Sequence, residues 1–543
     1  MHGQRRDEYK ARLRDETTAK KLEKKALTWN KISTELLQQK TNSSSGACMN
    51  INSQDSNKDI DCDSESSERS LALVLGLTDK LLSVNPDPNY LWNHRRETLL
   101  LKLKLKSDNY AAADAASEFI EQEQILTQTA LQRNPKAYGA WFHRKWSIRH
   151  YLNLFLETET SRLSANTDTT DTDTDTDANV LIKSILRLLK AELILCGEFL
   201  MLDERNFHCW NYRRFVVGIT IAVIMLEGSL GHGESENKIE GHAISSLDGC
   251  GAWDIHDWLP SLDIDLDAIG AQMAMSLSQP SQSQSLSATA TASRNKKSIE
   301  ALSQRICIEK VHSLLQSEWE FTTKKIEQNF SNGSAFHMRS KLLPILIQLD
   351  HCGVIDPDSN SDIDIDSAGN HDTGKFLAAK SKWFQEELEL IRNAVFTEPD
   401  DQTSWWYFRF VLSWANPMTM DDNATSNNAN ANANDNGKND DITHDTYAAL
   451  DEYQSILYEE WDTIQELVEG EDGQCKWGLL GLYMIATTFD SIEKDQQGQR
   501  EGGDEIVTCY GGQDWGALAK SYLVQLKVLD PDRSRRYDVL MED

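Results

Sequence analysis

Apolar positions recur along this chain at helical rather than strand spacing. The segments DKLLSV before Asn85, QTALQR before Asn134, GEFLML before Asp203 and LIRNAVF before Glu398 are apolar and helix-like. After each comes a short polar stretch and then a second helical segment. Five junctions align: NPDPNYLWNHRRETLL from Asn85, NPKAYGAWFHRKWSIRHYL from Asn134, DERNFHCWNYRRFVV from Asp203, NFSNGSAFHMRSKLLP from Asn329 and EPDDQTSWWYFRFVL from Glu398. Each has a turn residue, an aromatic seven residues on, and an arginine three later: Trp92 and Arg95, Trp141 and Arg144, Trp210 and Arg213, Phe336 and Arg339. In the fifth copy Trp405 keeps the spacing, but Arg409 falls one position late. Helix, short turn, helix is the unit of an α-solenoid, in which each hairpin buries its apolar face only against its neighbours. Asn-Pro at two junctions suits a helix start, because Asn caps free amides and Pro tolerates the first helical position. Tyr138, Trp141 and Lys145 fall on one helical face.

The anchors are unevenly spaced because polar, low-complexity stretches interrupt the pattern. These are the Thr/Asp run near 167–177, the Ser/Gln/Thr stretch at 277–293, the Ser/Asp-rich stretch near 357–373 and the Asn/Ala run at 423–435. None can bury enough apolar surface to fold, so they are expected as loops. The resulting partition is a charged helix within 1–40, a disordered linker at 41–69 and repeats 1–3 over 70–225. A low-complexity insertion follows at 226–300, then repeats 4–5 over 301–415 with an insertion at 355–375. A second disordered linker at 416–445 precedes a C-terminal helical repeat at 446–543.

Composition narrows the function classes. The 543 residues carry a net charge of −31, which argues against nucleic-acid phosphates as the partner. The nine cysteines form no C-x-x-C pair, which speaks for a reducing compartment rather than a disulfide framework or a zinc finger. The N-terminus has no apolar signal core, and the longest apolar run, Phe215 to Leu226, is shorter than the ~20 residues a bilayer requires. The expected location is the cytoplasm. No phosphate-binding glycine loop, H-E-x-x-H or Ser/His/Asp motif stands out.

The W-x-x-R hairpins resemble the alpha-subunit repeat of protein prenyltransferases. The opening MHG with its Lys/Glu helix KKLEKKALTWNK, the runs LDERNFHCWNYRRFV and RNFSN, and the C-terminal KWGLL and LDPDRSRRYDVL are most similar to the Rab-specific branch of that family. NPKAYGAW resembles its second repeat. Farnesyltransferase alpha subunits are similar here but carry a glutamine in place of Gly139, where it helps hold a CaaX carboxylate. The glycine therefore fits an enzyme that does not read CaaX tails.

The resemblance implies a fold, a reaction and partners. The expected fold is an all-α solenoid, a right-handed superhelix of helical hairpins wrapping a beta subunit that carries the zinc. The implied reaction transfers geranylgeranyl from geranylgeranyl diphosphate to C-terminal cysteines of Rab GTPases delivered by a Rab escort protein. The alternatives are the alpha subunit shared by CaaX enzymes and a non-catalytic helical scaffold. Lys136 matches the family lysine that contacts the isoprenoid diphosphate. By composition alone it is a solvated lysine. Tyr138 is read either as a substrate contact or as packing between hairpins, and His208, at the matching position one repeat later, either as facing the same site or as structural. His2 matches a histidine that reaches the partner's zinc, against the plain reading of a disordered terminus. The Trp/Arg pairs, Phe336/Arg339 and Trp405/Arg409 included, are expected to form the structural core of the repeats. The arginines are expected to bond helix ends or neighbouring carboxylates, or to line the beta interface.

Overall fold

A computed structural model describes residues 16–46, 64–106, 112–165, 174–230, 289–351, 373–419, 444–498 and 512–542. Regular structure among them is helical throughout. In chain order the helices are α1 (Glu16–Gly46), α2 (Ser64–Val84), α3 (Asn89–Lys106), α4 (Ala112–Arg133), α5 (Tyr138–Ala165), α6 (Thr174–Leu202) and α7 (Phe207–Leu230). Then come α8 (Thr289–Gln328), α9 (Gly333–His351), α10 (Thr373–Thr397), α11 (Gln402–Ala415), α12 (His444–Gly470), α13 (Lys476–Gly498), α14 (Trp515–Leu529) and α15 (Ser534–Glu542). They fall into two compact units, the first reaching Val223 and the second holding the described residues from Ile224 onward.

In the first unit α2 packs on α3 and α4 on α5, while α1 lies against α2. The first helices α2 and α4 adjoin, as do the second helices α3 and α5, which makes a two-layered stack of hairpins. In the second unit α8 pairs with α9, α10 with α11 and α12 with α13, and α14 and α15 follow on α13. The second helices α9, α11 and α13 adjoin in succession. This is the all-α solenoid that the repeats imply.

One local device recurs at the turns. The indole Nε1 of each anchor tryptophan donates to the carbonyl six residues earlier: Trp92 to Pro86 at 2.9 Å, Trp141 to Pro135 at 2.8 Å, Trp210 to Glu204 at 2.8 Å and Trp405 to Pro399 at 3.1 Å. The ring is buried while its one polar atom is satisfied, the condition for placing a tryptophan inside. The turns are tightened by side-chain oxygens of Asn85, Asn134, Asn329 and Asp401, each accepting from the amide two residues on.

The core arginines find carboxylates in the following repeat. Arg95 makes a fork to Glu123 at 2.7 and 2.6 Å, Arg144 to Glu192 at 2.6 and 2.7 Å, and Arg339 to Glu387 at 2.7 Å on both oxygens. All six side chains are buried. A second donor completes each carboxylate: His143 to Glu123 at 2.7 Å, Tyr212 to Glu192 and Tyr407 to Glu387 at 2.6 Å. Burial pushes the Glu123 carboxyl up, but the bonds from His143 and Arg95 outweigh it and bring it to about 2. Burial also lowers His143, so a neutral imidazole donates through Nε2. Arg213 donates to the Leu193 carbonyl at 2.9 Å.

Arg409 departs from the expected core role. It is exposed, and Phe408 fills the buried arginine register instead. The matching carboxylate, Glu460, is still buried. It takes Nε of Arg392 at 2.6 Å from the preceding first helix, and its Oε1 has no partner. Burial raises the Glu460 carboxyl more than Arg392 lowers it. Arg409 belongs to a second register, four residues after the anchor, that also holds Arg96, Lys145 and Arg214.

Helical backbone also runs into stretches expected to be loops. The helix α1 continues to Gly46, α2 starts at Ser64, α6 starts at Thr174 within the Thr/Asp run, and α8 starts at Thr289. Polar residues extend a helix cheaply once packing has nucleated it, since each added residue gains a bond without a new nucleus. The centres of the four low-complexity stretches, near 170, 285, 365 and 429, lie outside the described residues, as do His2 and Leu13.

Candidate functional site

The turn between α4 and α5 carries Lys136, and Tyr138 opens α5. Asn134 shapes this turn by accepting the Lys136 amide at 3.1 Å, while its own amide nitrogen donates to Asp87 of the preceding turn at 2.6 Å. One repeat on, the buried Asn206 donates to the Pro135 carbonyl at 2.9 Å and accepts from the Cys209 amide at 3.3 Å. Three consecutive turns are thus stitched edge to edge. The sequence reading missed Asn206. A polar residue four before the anchor Trp210 is a weak signal, and only the turn stacking gives it meaning.

This stitching brings the three candidate residues together. The Lys136 ammonium lies 3.3 Å from a carboxylate oxygen of Asp203, with 44 % of the lysine side chain exposed. The Tyr138 ring lies 5.9 Å from the His208 ring and stacks on Phe142 at 6.0 Å. Tyr138 and Phe207 are more than half exposed. Burial lowers His208 below the usual imidazole range, and the Lys136 charge lowers it further, so this ring is neutral near pH 7 and able to donate one hydrogen bond. Tyr138, Trp141 and Lys145 share a side of α5 but not an environment, since Trp141 is buried and Tyr138 is open. The cluster is an exposed ammonium, a phenol and a neutral imidazole on one edge of the stack, suited to an oxyanion. Its Lys–Asp pair contributes ~0–1 kcal/mol at this exposure, so an incoming anion displaces Asp203 at small cost.

Gly139 sits behind the cluster. A Cβ there would lie 2.5 Å from Cδ1 of Trp92 and 2.7 Å from Oδ1 of Asn89. The glycine is required by the approach of the preceding repeat, whatever else its missing side chain means for substrate.

Among the described residues no three His, Cys, Asp or Glu side chains converge as a metal site. Among them too, no helix is long and apolar enough to cross a membrane. The apolar run Phe215–Leu226 is part of the largely buried α7.

Comparison with known proteins agrees with this geometry. The protein prenyltransferase alpha subunit repeat matches residues 73–101, 120–151, 189–219, 315–346 and 384–415. Each match contains one anchor: Trp92, Trp141, Trp210, Phe336 or Trp405. The chain is similar to the geranylgeranyl transferase type-2 subunit alpha of Rattus norvegicus, 27 % identical over 344 residues that make up 63 % of this chain and 34 % of the rat protein. The protein of that name from Candida albicans is 23 % identical over 470 residues, covering 85 % of this chain and 82 % of its own length. That from Saccharomyces cerevisiae is 20 % identical over 339 residues, 62 % of this chain and 58 % of the yeast protein. The chain thus spans about a third of the length of the mammalian relatives it matches. The chain thus carries five copies of the protein prenyltransferase alpha subunit repeat, each built around its own anchor aromatic.

Proposed function

We propose that this chain is the alpha subunit of a heterodimeric type-2 protein geranylgeranyltransferase. It would transfer geranylgeranyl from geranylgeranyl diphosphate to C-terminal cysteines of Rab GTPases, in the cytoplasm, with a beta subunit and a Rab escort protein. The observation that carries this reading is the meeting of Lys136, Tyr138 and His208 on the edge of the second and third repeats. The relatives' shared name and the runs similar to the Rab-specific branch of the alpha subunits support it.

In this reading Lys136 stabilises the diphosphate. Negative charge accumulates on the leaving oxygens as the bond to the allylic C1 breaks. A positioned ammonium interacts with that charge more strongly in the transition state than in the ground state. Neutral His208 and the Tyr138 hydroxyl supply donors beside it without adding charge, and Asp203 holds the ammonium in place until the anion arrives. The resemblance assigns zinc to the beta subunit, where it would lower the pKa of the substrate thiol. The residues described in this chain offer that metal no ligand set.

The test compares the heterodimer carrying Lys136→Ala with wild type on a Rab–escort complex, with a CaaX peptide as the control substrate. Rab modification, no CaaX modification and a ~10–1,000-fold loss in the variant with dimerisation intact are expected. Modification of CaaX instead would place the chain with the CaaX enzymes. An unchanged rate with alanine at 136 would reduce the chain to a scaffold.

A further inference from the structure

The seam between the hairpins α10–α11 and α12–α13 lacks parts that the forked seams possess. At a forked seam a buried glutamate takes an arginine from the preceding second helix through two bonds. A histidine or tyrosine twenty residues on gives the third. Glu460 is the glutamate of this seam. Phe408 stands in the register of the forking arginine, and Leu480, twenty residues on, has no polar side-chain atom to give. Glu460 is held instead by Nε of Arg392 at 2.6 Å, and its Oε1 is buried with no partner. The Arg392 side chain is 37 % exposed, against 3 %, 4 % and 5 % for Arg95, Arg144 and Arg339.

The turn of this seam is weakened in parallel. Asn206 ties its turn to the preceding one by donating to the Pro135 carbonyl at 2.9 Å, while its side-chain oxygen caps the Cys209 amide at 3.3 Å. Cys475 makes the same two bonds through sulfur. The Gly478 amide donates to its Sγ at 3.3 Å, and its thiol donates to the Pro399 carbonyl at 3.8 Å. Pro399 lies six residues before Trp405, as Pro135 lies six before Trp141. A thiol is a weak donor, so the tie is looser than the amide it replaces. Hydrogen bonds also cross the seam from the Tyr453 hydroxyl to the Leu412 carbonyl at 2.9 Å and from Ser381 to Glu452, the latter exposed, at 2.7 Å.

Beyond the seam, α12 to α15 have a core of their own. Phe489 stacks on Trp515 at 4.3 Å, and Trp461 meets Trp515 edge-on at 5.7 Å and donates to the Tyr522 hydroxyl at 3.0 Å. All four rings are buried.

We propose that α12 to α15 open and reclose as one body at this seam, while the forked seams stay shut. Local opening runs along the boundary where the fewest favourable bonds are lost together. A forked seam must part a buried ion pair and its third donor at once. Here opening gives water to a carboxylate oxygen that has no partner when closed, which favours the open state. The aromatic core behind the seam moves intact. This device is independent of the function proposed for Lys136.

The experiment follows alkylation of thiols by iodoacetamide and amide hydrogen exchange on the full chain under native conditions, both read peptide by peptide. Each thiol rate is divided by its rate in the urea-unfolded chain. Cys475 is expected to react ~10–100-fold faster than the buried Cys196 and Cys209 of the third hairpin, the factor that one orphaned buried group is worth in an opening equilibrium. Amides of α12 and α13 should exchange through the same opening, ahead of those of α9 and α10. Phe408→Arg, which places a guanidinium in the fork register, should slow both processes ~10-fold. Glu460→Leu, which removes the orphaned carboxyl, should act likewise and is read in place of the first variant if circular dichroism shows that one unfolded. Fast labelling of Cys475 with α12 still protected would mean that only the turn before α13 frays, and overturns the proposal. Equal rates at the three thiols overturn it too, as does unchanged opening in a folded variant.

Discussion

A Cβ placed on Gly139 would stand 2.5 Å from Cδ1 of Trp92, nearer than any real Cβ approaches its neighbours. Trp92 is itself buried and tied to Pro86, so it has nowhere to retreat. Gly139→Ala and Gly139→Gln are expected to lower stability by ~1–3 kcal/mol through overpacking between the first two repeats. Gly139→Gln is not expected to confer CaaX activity, because its side chain must first displace the indole. Thermal melting and a CaaX-peptide assay check both halves. A stable, CaaX-active glutamine variant would show that the glycine marks specificity alone.

The anchors and arginines were legible in the sequence because aromatic and guanidinium side chains are scarce and their spacing is fixed within one turn. Glu123, Glu192 and Glu387 were not, since their arginines lie 28 or 48 residues upstream and the chain is rich in glutamate. A signal did exist: a glutamate lies eighteen residues before Trp141, Trp210, Phe336 and Trp405. The residues of the cluster at Lys136 are reached from the sequence only through the family resemblance. Nothing in the periodicity of α5 announces that Asp203 and Asn206, one repeat later, will hold its turn.

Glu123→Gln removes the buried partner of Arg95 and leaves it only the half-exposed Asp79, 2.8 Å away, so a loss approaching ~3 kcal/mol is expected. The same carboxyl predicts an acid limb. Its folded pKa is about 2, below the ordinary 4.5. Its stabilisation is therefore present above pH ~4.5 and lost as pH falls towards 2, on the order of 3 kcal/mol in all. Denaturant unfolding between pH 7 and 3 should show the wild type converging on the glutamine variant. Parallel curves would contradict the assignment.

Glu460 should behave in the opposite sense. Burial raises its carboxyl, so its favourable state is the protonated one, and the stability it contributes is lost as pH rises through that value. Glu460→Gln is expected to melt no lower than wild type at pH 7, with any advantage shrinking in acid. A marked fall in melting temperature at pH 7 would mean that Arg392 compensates the carboxylate fully.

Trp92→Phe keeps most of the buried ring and loses the bond to Pro86. It should cost ~1 kcal/mol, against ~3–5 kcal/mol for Trp92→Ala. Asn206→Ala removes one of the two donors to the Pro135 carbonyl, leaving Trp141 Nε1, and should cost ~0.5–1.5 kcal/mol. In the proposed heterodimer it should also weaken diphosphate binding, because the turn bearing Lys136 loses one of its ties. Isothermal titration with a non-hydrolysable isoprenoid diphosphate reads that effect, and unchanged affinity would make Asn206 purely structural.

The arginine–glutamate forks also govern where this lineage can lengthen. Arg95 and Glu123 are 28 residues apart, while Arg144 and Glu192, and Arg339 and Glu387, are 48 apart, yet the forks close at the same distances. Widening such a closure from 28 to 48 residues costs roughly 0.5 kcal/mol in chain entropy, little beside a buried two-pronged ion pair. Inside a hairpin the glutamate and its aromatic or histidine donor always stand 20 residues apart. Growth is thus cheap at the seams between hairpins and forbidden within them. Each fork acts as a clasp that lets the chain take up new sequence without disturbing what lies on either side.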